Sequence, residues 1–207
     1  RETLNQGRLL KMISIDPFLI PLYPSPSNTH QSTPLTMQHS EKSISNDSSW
    51  SFAPRRSVEE VEEGFELAPK FNEADTLPCI TQHVETGEVL MFAYMNPEAL
   101  RRTVDQGYAH YWSRSRQKLW LKGETSGMRQ KVHQILVDDD QDCVILKVSL
   151  TSPDKGGSEA SCHVGYRSCF YRAVTSGPAG PKLTFIEREK VFDPHLVYEG
   201  VGNPTQL

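Results

Sequence analysis

The sequence predicts an α+β domain whose strands pair mainly antiparallel. At least five apolar runs have the length of a strand, only one or two segments have a helical pattern, and short turns join many of the strands. The chain has 207 residues, enough for one domain and a tail, and a domain of this size can bury a core without disulfides. We therefore expect a single domain.

The first predicted elements are a short acidic helix and a β-hairpin. Ser57 can cap the helix, whose body is the run of valines and glutamates at 58–63. Residues 78–84 and 88–95 are apolar runs, and the turn Glu85-Thr86-Gly87 between them is typical of a hairpin. These two runs should therefore be neighbouring strands.

A second helix and four further strands follow. Asn96 and Pro97 are a cap and first-turn signal and Gly107 is a stop signal, which predicts a helix over 97–105. The remaining strands are predicted at 109–113, 118–122, 130–137 and 143–150. A loop rich in Gly, Ser and Lys then leads to a pair of cysteines.

The two ends of the chain differ from this pattern. Residues 21–57 are rich in Ser, Pro, Thr, Asn and Gln, so they cannot bury enough apolar surface to offset the entropy lost on ordering. We assign 1–57 to a disordered N-terminal extension and 58–174 to the folded domain. Residues 175–207 are expected to be a C-terminal tail that packs on the domain or is partly irregular.

Composition narrows the class of protein. The net charge is -4 and the pI is about 6.0, whereas a general nucleic-acid binder carries a basic surplus. Four cysteines occur without a secretory signal, so reduced thiols or metal ligands are expected instead of a disulfide framework. The apolar segment 13–23 is interrupted by Asp16, Pro17 and Pro21 and is too short to span a bilayer. We expect a cytoplasmic protein that binds neither nucleic acid nor membrane.

Four aspartates between two predicted strands form the first candidate site. If this stretch is extended, alternate side chains share a face, so Asp138, Asp140 and Asp142 lie on one face, about 6 to 7 Å apart, and Asp139 lies on the other. Three such carboxylates suit a hard cation such as Mg²⁺. The more common explanation of an isolated acidic stretch is a solvated turn.

Cys162 and Cys169 form the second candidate site. Two thiols in this arrangement can bind one soft metal such as Zn²⁺, with His163 beside them as a proton carrier. The spacing is weak evidence, because structural zinc sites use shorter gaps and four ligands; buried structural thiols are the alternative. Two ligands leave a zinc site incomplete, so a third would come from elsewhere in the chain or from a second subunit.

A third group of residues suits phosphate. Arg114, Arg116 and Lys122 offer cations, and nearby glycines permit close approach of the backbone. Hydroxyl donors are available from Ser113, Ser115, Thr125 and Ser126. Trp112 and Trp120 are more typical of a core than of a base-stacking surface.

Together these stretches resemble the phosphoribosyl-AMP cyclohydrolase family of histidine biosynthesis. The likeness covers residues 71–172, roughly half of the chain, with the motifs in the family's order. The motifs are Thr86-Gly87-Glu88-Val89-Leu90-Met91, Tyr111-Trp112-Ser113-Arg114-Ser115-Arg116, Leu119-Trp120-Leu121-Lys122-Gly123-Glu124-Thr125-Ser126-Gly127, and Cys162-His163 with Arg167-Ser168-Cys169-Phe170-Tyr171.

The resemblance implies a hydrolase that opens the purine ring of 1-(5-phosphoribosyl)-AMP at the N1–C6 bond. It implies an intertwined homodimer with one Zn²⁺ per subunit, whose ligands both subunits share, and with Mg²⁺ assisting. The Mg²⁺ ligands would be Asp138, Asp140 and Asp142, and Cys162 and Cys169 would bind zinc beside the catalytic His163. The substrate-binding residues would be Trp112, Ser113, Arg114, Ser115, Arg116, Lys122, Glu124, Thr125 and Ser126.

Asp139 departs from the family pattern, because the family has a zinc-ligating cysteine at this position. We expect Asp139 to be a substituted zinc ligand, since carboxylate oxygen is an accepted donor, although a harder site can admit Mn²⁺ or Fe²⁺. Cys143 is the alternative ligand. In an extended strand it would lie about 13 Å away, so only a bulge or a tight turn would bring it to the site.

Two alternative functions are open. One is a catalytically impaired dimer of the same fold that only binds nucleotide or phosphate. Another is a zinc-dependent deaminase, which ranks lower because its His-x-Glu and Pro-Cys-x-x-Cys signature is absent. A fused pyrophosphatase domain is not expected, because the residues after Arg172 are too few, so a single activity is predicted.

Overall fold

The structure is a computed structural model that describes residues 50–202. Short helices and mostly antiparallel strands confirm the predicted α+β class. Residues 1–49 of the predicted extension and 203–207 of the predicted tail lie outside the described residues. The elements are α1 (Val58–Glu62), β1 (Leu77–His83), β2 (Val89–Met95), α2 (Pro97–Gln106), β3 (His110–Ser113), β4 (Lys118–Leu121), β5 (Gln130–Val137), β6 (Val144–Leu150), β7 (Arg172–Thr175), β8 (Lys182–Phe185) and α3 (Pro194–Val197).

Four strands form the main sheet, in the order β2-β1-β6-β5. The pairs β1–β2 and β5–β6 are antiparallel hairpins, whereas β1 and β6 run parallel, with Cys79 opposite Val144 and His83 opposite Val148. Parallel neighbours begin at the same end of a sheet. The turn that precedes β6 and the turn that follows β1 therefore lie at opposite ends. Strands β3–β4 and β7–β8 form two smaller hairpins.

Helix α2 follows from local sequence. Asn96 Oδ1 accepts a hydrogen bond from the Ala99 N–H at 2.9 Å, Pro97 occupies the first turn, and Gly107 ends the helix with φ 68°. Leu100 is buried on its apolar face. The prediction of this helix is confirmed, and the helix extends one residue beyond the predicted end.

The core lies on one face of the main sheet. Burial alternates along β1 and β6, as expected for strands with one packed face. A polar chain crosses this core. Tyr111 Oη lies 2.7 Å from Thr81 Oγ1 and donates to Gln130 Oε1 at 2.6 Å, and Gln130 Nε2 donates to Ser161 Oγ at 3.0 Å. Buried polar groups are thus satisfied within the core.

Segments at both ends of the described range contact the domain. Residues 50–57, assigned above to the extension, include Ala53, whose N–H donates to Leu67 O at 2.9 Å. Near the other end, Phe192 and Val197 are buried in a second cluster with Met128. Strands β7 and β8 and helix α3, which have four residues each, were not predicted. Between residues 50 and 202 the structure has no helix of the length and apolar character that crossing a membrane requires.

Candidate functional site

The acidic turn, residues 138–142, connects β5 to β6. The extended backbone assumed from the sequence is wrong here, because the chain reverses direction over these residues. Gln141 N–H donates to Asp138 O at 3.2 Å, and Asp138 Oδ1 accepts from the Cys143 N–H at 2.9 Å. Gln141 has φ 58°, the left-handed conformation that a tight turn often needs.

Three carboxylates of the acidic turn converge. Asp138, Asp139 and Asp140 each place an oxygen within 4.8 Å of the others. The expected position of Asp139 on an opposite face is therefore wrong, since a tight turn does not alternate its side chains between two faces. Carboxylates this close repel one another, so the group favours a cation.

Lys70 supplies a cation to the acidic turn. Its Nζ lies 2.8 Å from Asp140 Oδ2 and 3.5 Å from Asp142 Oδ2. The hydrogen bond between Lys70 and Asp140 raises the pKa of Lys70 and lowers the pKa of Asp140. The ammonium shows that Asp140 and Asp142 share one position that binds positive charge.

Gln141 holds the acidic turn against the segment that precedes β1. Its Oε1 accepts from the Ala68 N–H at 2.8 Å, and its Nε2 donates to Val61 O at 3.1 Å and to Glu66 O at 3.2 Å. Gln141 is buried, so these bonds replace water for five polar groups. Sequence reasoning missed Gln141 and Lys70, because their partners are about 70 to 80 residues away in the chain.

Two further contacts fix the same segment. Arg55 donates from one guanidinium nitrogen to Ala68 O at 2.6 Å and from the other to Asp140 O at 2.9 Å. The Lys70 N–H donates to Gln141 O at 2.8 Å. The backbone of the acidic turn is therefore held independently of the ion pair made by the Lys70 side chain.

Cys143 follows the acidic turn but is less suited to metal binding than the aspartates. Burial, together with the charges of Asp138 and Asp142, raises the pKa of its thiol. A thiol must lose its proton to bind zinc strongly, so a raised pKa weakens it as a ligand. Among the described residues, Cys143 is also outside the group of converging ligand atoms.

The thiol loop, residues 161–169, carries the second candidate site. Cys162 is buried, whereas Cys169 is exposed. The loop is held at both ends, since Ser161 N–H donates to Arg167 O at 2.8 Å and Cys169 N–H donates to Leu90 O at 2.8 Å. These bonds bring together two thiols that are seven positions apart.

The thiols differ in acidity. A hydrogen bond from Cys169 lowers the pKa of Cys162 to about 7, and the same bond raises the pKa of Cys169. Cys162 is therefore the thiol that ionises first. A thiolate at neutral pH is a metal ligand or a nucleophile.

Lys122 lies next to the thiol pair. It is 5% exposed, and its burial lowers the pKa of its ammonium to about 8, against the opposing attraction of Cys169 and Cys162. Arg114 and Arg116, which were grouped with Lys122 on the sequence, are exposed in the turn between β3 and β4. The three predicted cations therefore have different environments.

His163 is half-buried in the turn of the thiol loop. This turn is closed by Gly165 N–H, which donates to Cys162 O at 3.3 Å. His163 is adjacent in sequence to Cys162, the more acidic thiol. The loop thus places a thiol beside an imidazole, which are groups that can bind a metal and carry a proton.

The substrate-binding residues predicted from the motifs lie on the β3–β4 hairpin and the loop that follows it. Arg114 stacks on the Tyr94 ring at 3.8 Å, and Arg116 Nε donates to Ser113 Oγ at 3.1 Å. The loop 122–128 is tight at Gly123, where a Cβ would lie 2.3 Å from the Met128 backbone. Within these segments Trp112 and Ser113 are half-buried, Ser126 is buried, and Ser115, Glu124 and Thr125 are exposed.

The register of the main sheet separates the thiol loop from the acidic turn. Ser168 Oγ donates to Val89 O at 2.8 Å, and Val89 pairs with Gln82 near the end of β1. The acidic turn precedes Val144, which pairs with Cys79 near the start of β1. Three residues of extended strand separate Cys79 from Gln82, so the positions on β1 nearest the acidic turn and the thiol loop lie about 10 Å apart. Over the described range, no third potential ligand joins the two thiols within one chain.

Both donor sets suit the metals expected for them. The thiol pair offers soft donors, and the lowered pKa of Cys162 allows ionisation near neutral pH, as zinc requires. The acidic turn offers only oxygen donors, as Mg²⁺ prefers, and Lys70 already stands in as a cation at Asp140 and Asp142. The thiol pair remains short of a complete zinc ligand set.

Comparison with known proteins identifies the family. A family model described as phosphoribosyl-AMP cyclohydrolase matches residues 91–171. A protein named phosphoribosyl-AMP cyclohydrolase from Rhodopseudomonas palustris is 48% identical to this chain, and the match covers 70% of this chain and 95% of the relative. A protein of the same name from Methanococcoides burtonii is 54% identical, over 62% of this chain and 94% of the relative. A relative of the same name from Nitrobacter winogradskyi is 48% identical, over 69% and 94%. The match spans both the acidic turn and the thiol loop, and the chain belongs to the phosphoribosyl-AMP cyclohydrolase family of enzymes.

Proposed function

We propose that this protein hydrolyses 1-(5-phosphoribosyl)-AMP at the N1–C6 bond of the purine ring, giving the formimino-carboxamide nucleotide of histidine biosynthesis. The observation that carries the proposal is the thiol loop, which brings Cys162 and Cys169 together and places His163 next to Cys162. The support from relatives is their shared name and their identity of 44–54% with this chain. A cytoplasmic location is part of this proposal.

The proposed zinc site has Cys162 and Cys169 from one subunit and Asp139 from a second. The separation of the acidic turn from the thiol loop within one chain supports a shared site, because Asp139 has no short route to its own thiols. When bound, zinc supplies Lewis acidity that makes water a better nucleophile near neutral pH. A homodimer is therefore part of the proposed function.

We assign the transfer of the proton from water to N1 to His163. Water adds its oxygen to C6, the C6–N1 bond breaks, and N1 leaves with a proton. An imidazole can accept a proton from the attacking water and return it to N1 at one ring nitrogen, because its pKa lies near neutrality. The thiol loop holds His163 close to Cys162, which supports this role.

The remaining polar residues are assigned to substrate and Mg²⁺. Asp138, Asp140 and Asp142 are proposed to hold Mg²⁺, which would help neutralise the substrate phosphates. Exposed Arg114 and Arg116 are proposed phosphate ligands. Trp112, Ser113, Ser115, Glu124, Thr125 and Ser126 complete the proposed substrate site, and Lys122 would act beside the thiol pair, where it is buried.

The test measures one preparation in two ways. Bound metals are quantified by mass spectrometry, and ring opening of phosphoribosyl-AMP is followed by its absorbance change. The expected result is one transition metal per chain with Mg²⁺-stimulated turnover. Full turnover without a bound transition metal would contradict the zinc mechanism. Absence of turnover with every metal tried would favour the impaired binding dimer.

A further inference from the structure

The Lys70 ammonium occupies a position in the acidic turn that the proposed function gives to a metal ion. Its Nζ is 2.8 Å from Asp140 Oδ2 and 3.5 Å from Asp142 Oδ2. Both carboxylates are proposed Mg²⁺ ligands, and a third, Asp138, lies within 4.8 Å of Asp140. One intramolecular cation and one metal ion would therefore use the same oxygens.

We propose that Lys70 is a built-in counter-cation that competes with the divalent ion for Asp140 and Asp142 and so sets the affinity of the acidic turn. This inference rests on the proposed function, because it takes the acidic turn to be the Mg²⁺ site. Lys70 precedes the residues matched by the family model, which begin at 91. It is a residue that tunes metal binding, and it is not itself a ligand.

Electrostatics accounts for both states of the turn. Without a metal ion, the ammonium offsets part of the repulsion among the converging carboxylates. A divalent ion neutralises more charge and can bind several oxygens at once, whereas an ammonium is a single compact charge. Two cations cannot share Asp140 Oδ2 closely, so binding of the metal requires the Lys70 side chain to move away.

The side chain is free to move without its backbone. The Lys70 side chain is 53% exposed. The backbone is fixed separately, because Lys70 N–H donates to Gln141 O at 2.8 Å and Ala68 N–H donates to Gln141 Oε1 at 2.8 Å. Replacing the side chain should therefore change the charge at the turn while the turn keeps its shape.

The expected effect is a modest gain in affinity. Exposed ion pairs contribute little to stability, so losing the competitor should tighten Mg²⁺ binding by about two- to fivefold. Lys70→Met keeps the length of the side chain and removes its charge. Lys70→Arg keeps the charge and should bind Mg²⁺ as the wild type does. The gain should shrink at high salt, which screens exposed charges.

The experiment is a calorimetric titration of the full chain with MgCl₂ at low and at high NaCl. Lys131→Met is the matched control, since Lys131 is an exposed lysine near the other end of β5. Asp138→Asn identifies the site, because Asn can still accept the Cys143 N–H bond but loses the charge. The expected result is that Lys70→Met binds Mg²⁺ more tightly than the wild type and Asp138→Asn binds it more weakly. Lys131→Met should bind Mg²⁺ as the wild type does.

Two other results are distinguishable. If Asp138→Asn weakens Mg²⁺ binding but Lys70→Met leaves it unchanged or weakens it, the competition is overturned while the metal site stands. If Asp138→Asn binds Mg²⁺ as tightly as the wild type, the acidic turn is not the Mg²⁺ site. The Mg²⁺ part of the proposed function and the proposed competition then both fail.

Discussion

Gln130 and Ser161 connect the core of the main sheet to the thiol loop: Gln130 Nε2 donates to Ser161 Oγ at 3.0 Å, one residue before Cys162. Gln130 also accepts from Tyr111 Oη at 2.6 Å and is fully buried. The position of Cys162 therefore depends on a side-chain amide at the start of β5. This relationship links the stability of the core to the geometry of the candidate site.

Gln130→Leu should destabilise the protein. The change leaves the Tyr111 and Ser161 hydroxyls with fewer partners inside the core, which should cost about 1 to 3 kcal/mol in the free energy of unfolding. Urea denaturation followed by fluorescence measures this loss. Gln134→Leu is the control, because Gln134 is exposed on the same strand and should change stability far less. Equal effects of the two changes would contradict the role given to the polar chain.

Cys162 of the metal-free protein should react as a thiolate near neutral pH. The alkylation of Cys162 by iodoacetamide should have a midpoint at about pH 7, and the hydrogen bond from Cys169 is the main cause of this lowered pKa. Cys169→Ala should move this midpoint to higher pH. Lys122→Met should do so by less, since the attraction of Lys122 is the smaller cause. The rates are measured peptide by peptide with mass spectrometry, with Lys118→Met as control; a wild-type midpoint near 9 would contradict the assignment.

Local patterns predicted most of the fold. The signals at Asn96, Pro97 and Gly107 depend on neighbours within one helix, and the predicted bounds of β5 at 130–137 are confirmed. These elements are set by short-range capping and by alternation of apolar residues, both of which can be read along the chain. The class of the domain followed from them.

The acidic turn shows why the candidate site was predicted less well. Its residue types indicated a cation site, but its shape depends on Gln141 in the left-handed region and on partners at Val61, Glu66 and Ala68. Such contacts are tertiary and have no signature in the local sequence. The burial of Lys122 beside the thiols is a second example, because the motif around it indicated only a cation suited to phosphate.

Gln141→Gly and Gln141→Ala should separate the two contributions of this residue. Both remove three side-chain hydrogen bonds and should destabilise the buried contacts by about 1 to 3 kcal/mol. Ala should be worse than Gly by about 1 kcal/mol, because its Cβ is strained at φ 58°. Thermal unfolding gives the comparison. Gln117→Gly is the control, since Gln117 is exposed and has φ 47°, so Gly should be tolerated there; a similar loss at both positions would contradict the tethering role.

His163→Ala should reduce turnover without releasing the metal. A general acid or base contributes about 10² to 10⁴-fold, so kcat should fall by this factor while the zinc content measured by mass spectrometry stays that of the wild type. His133→Ala is the control, because His133 is exposed on β5 and bonds to Ser149 Oγ at 2.9 Å, away from the thiol loop. Unchanged turnover in His163→Ala would remove this residue from the mechanism.

Mixing two inactive chains should restore activity if the zinc site is shared. Asp139→Ala and Cys162→Ala should each abolish zinc-dependent turnover when alone. In a dimer of one chain of each kind, one site receives Asp139 and Cys162 from different chains and is intact, while the other site lacks both. Purified mixed dimers should therefore have about half of the wild-type activity, because each has one intact site of two. The two tagged chains are co-expressed, purified as mixed dimers and assayed for zinc and for ring opening. If Asp139 and the thiols served a site within one chain, the mixed dimers would remain inactive.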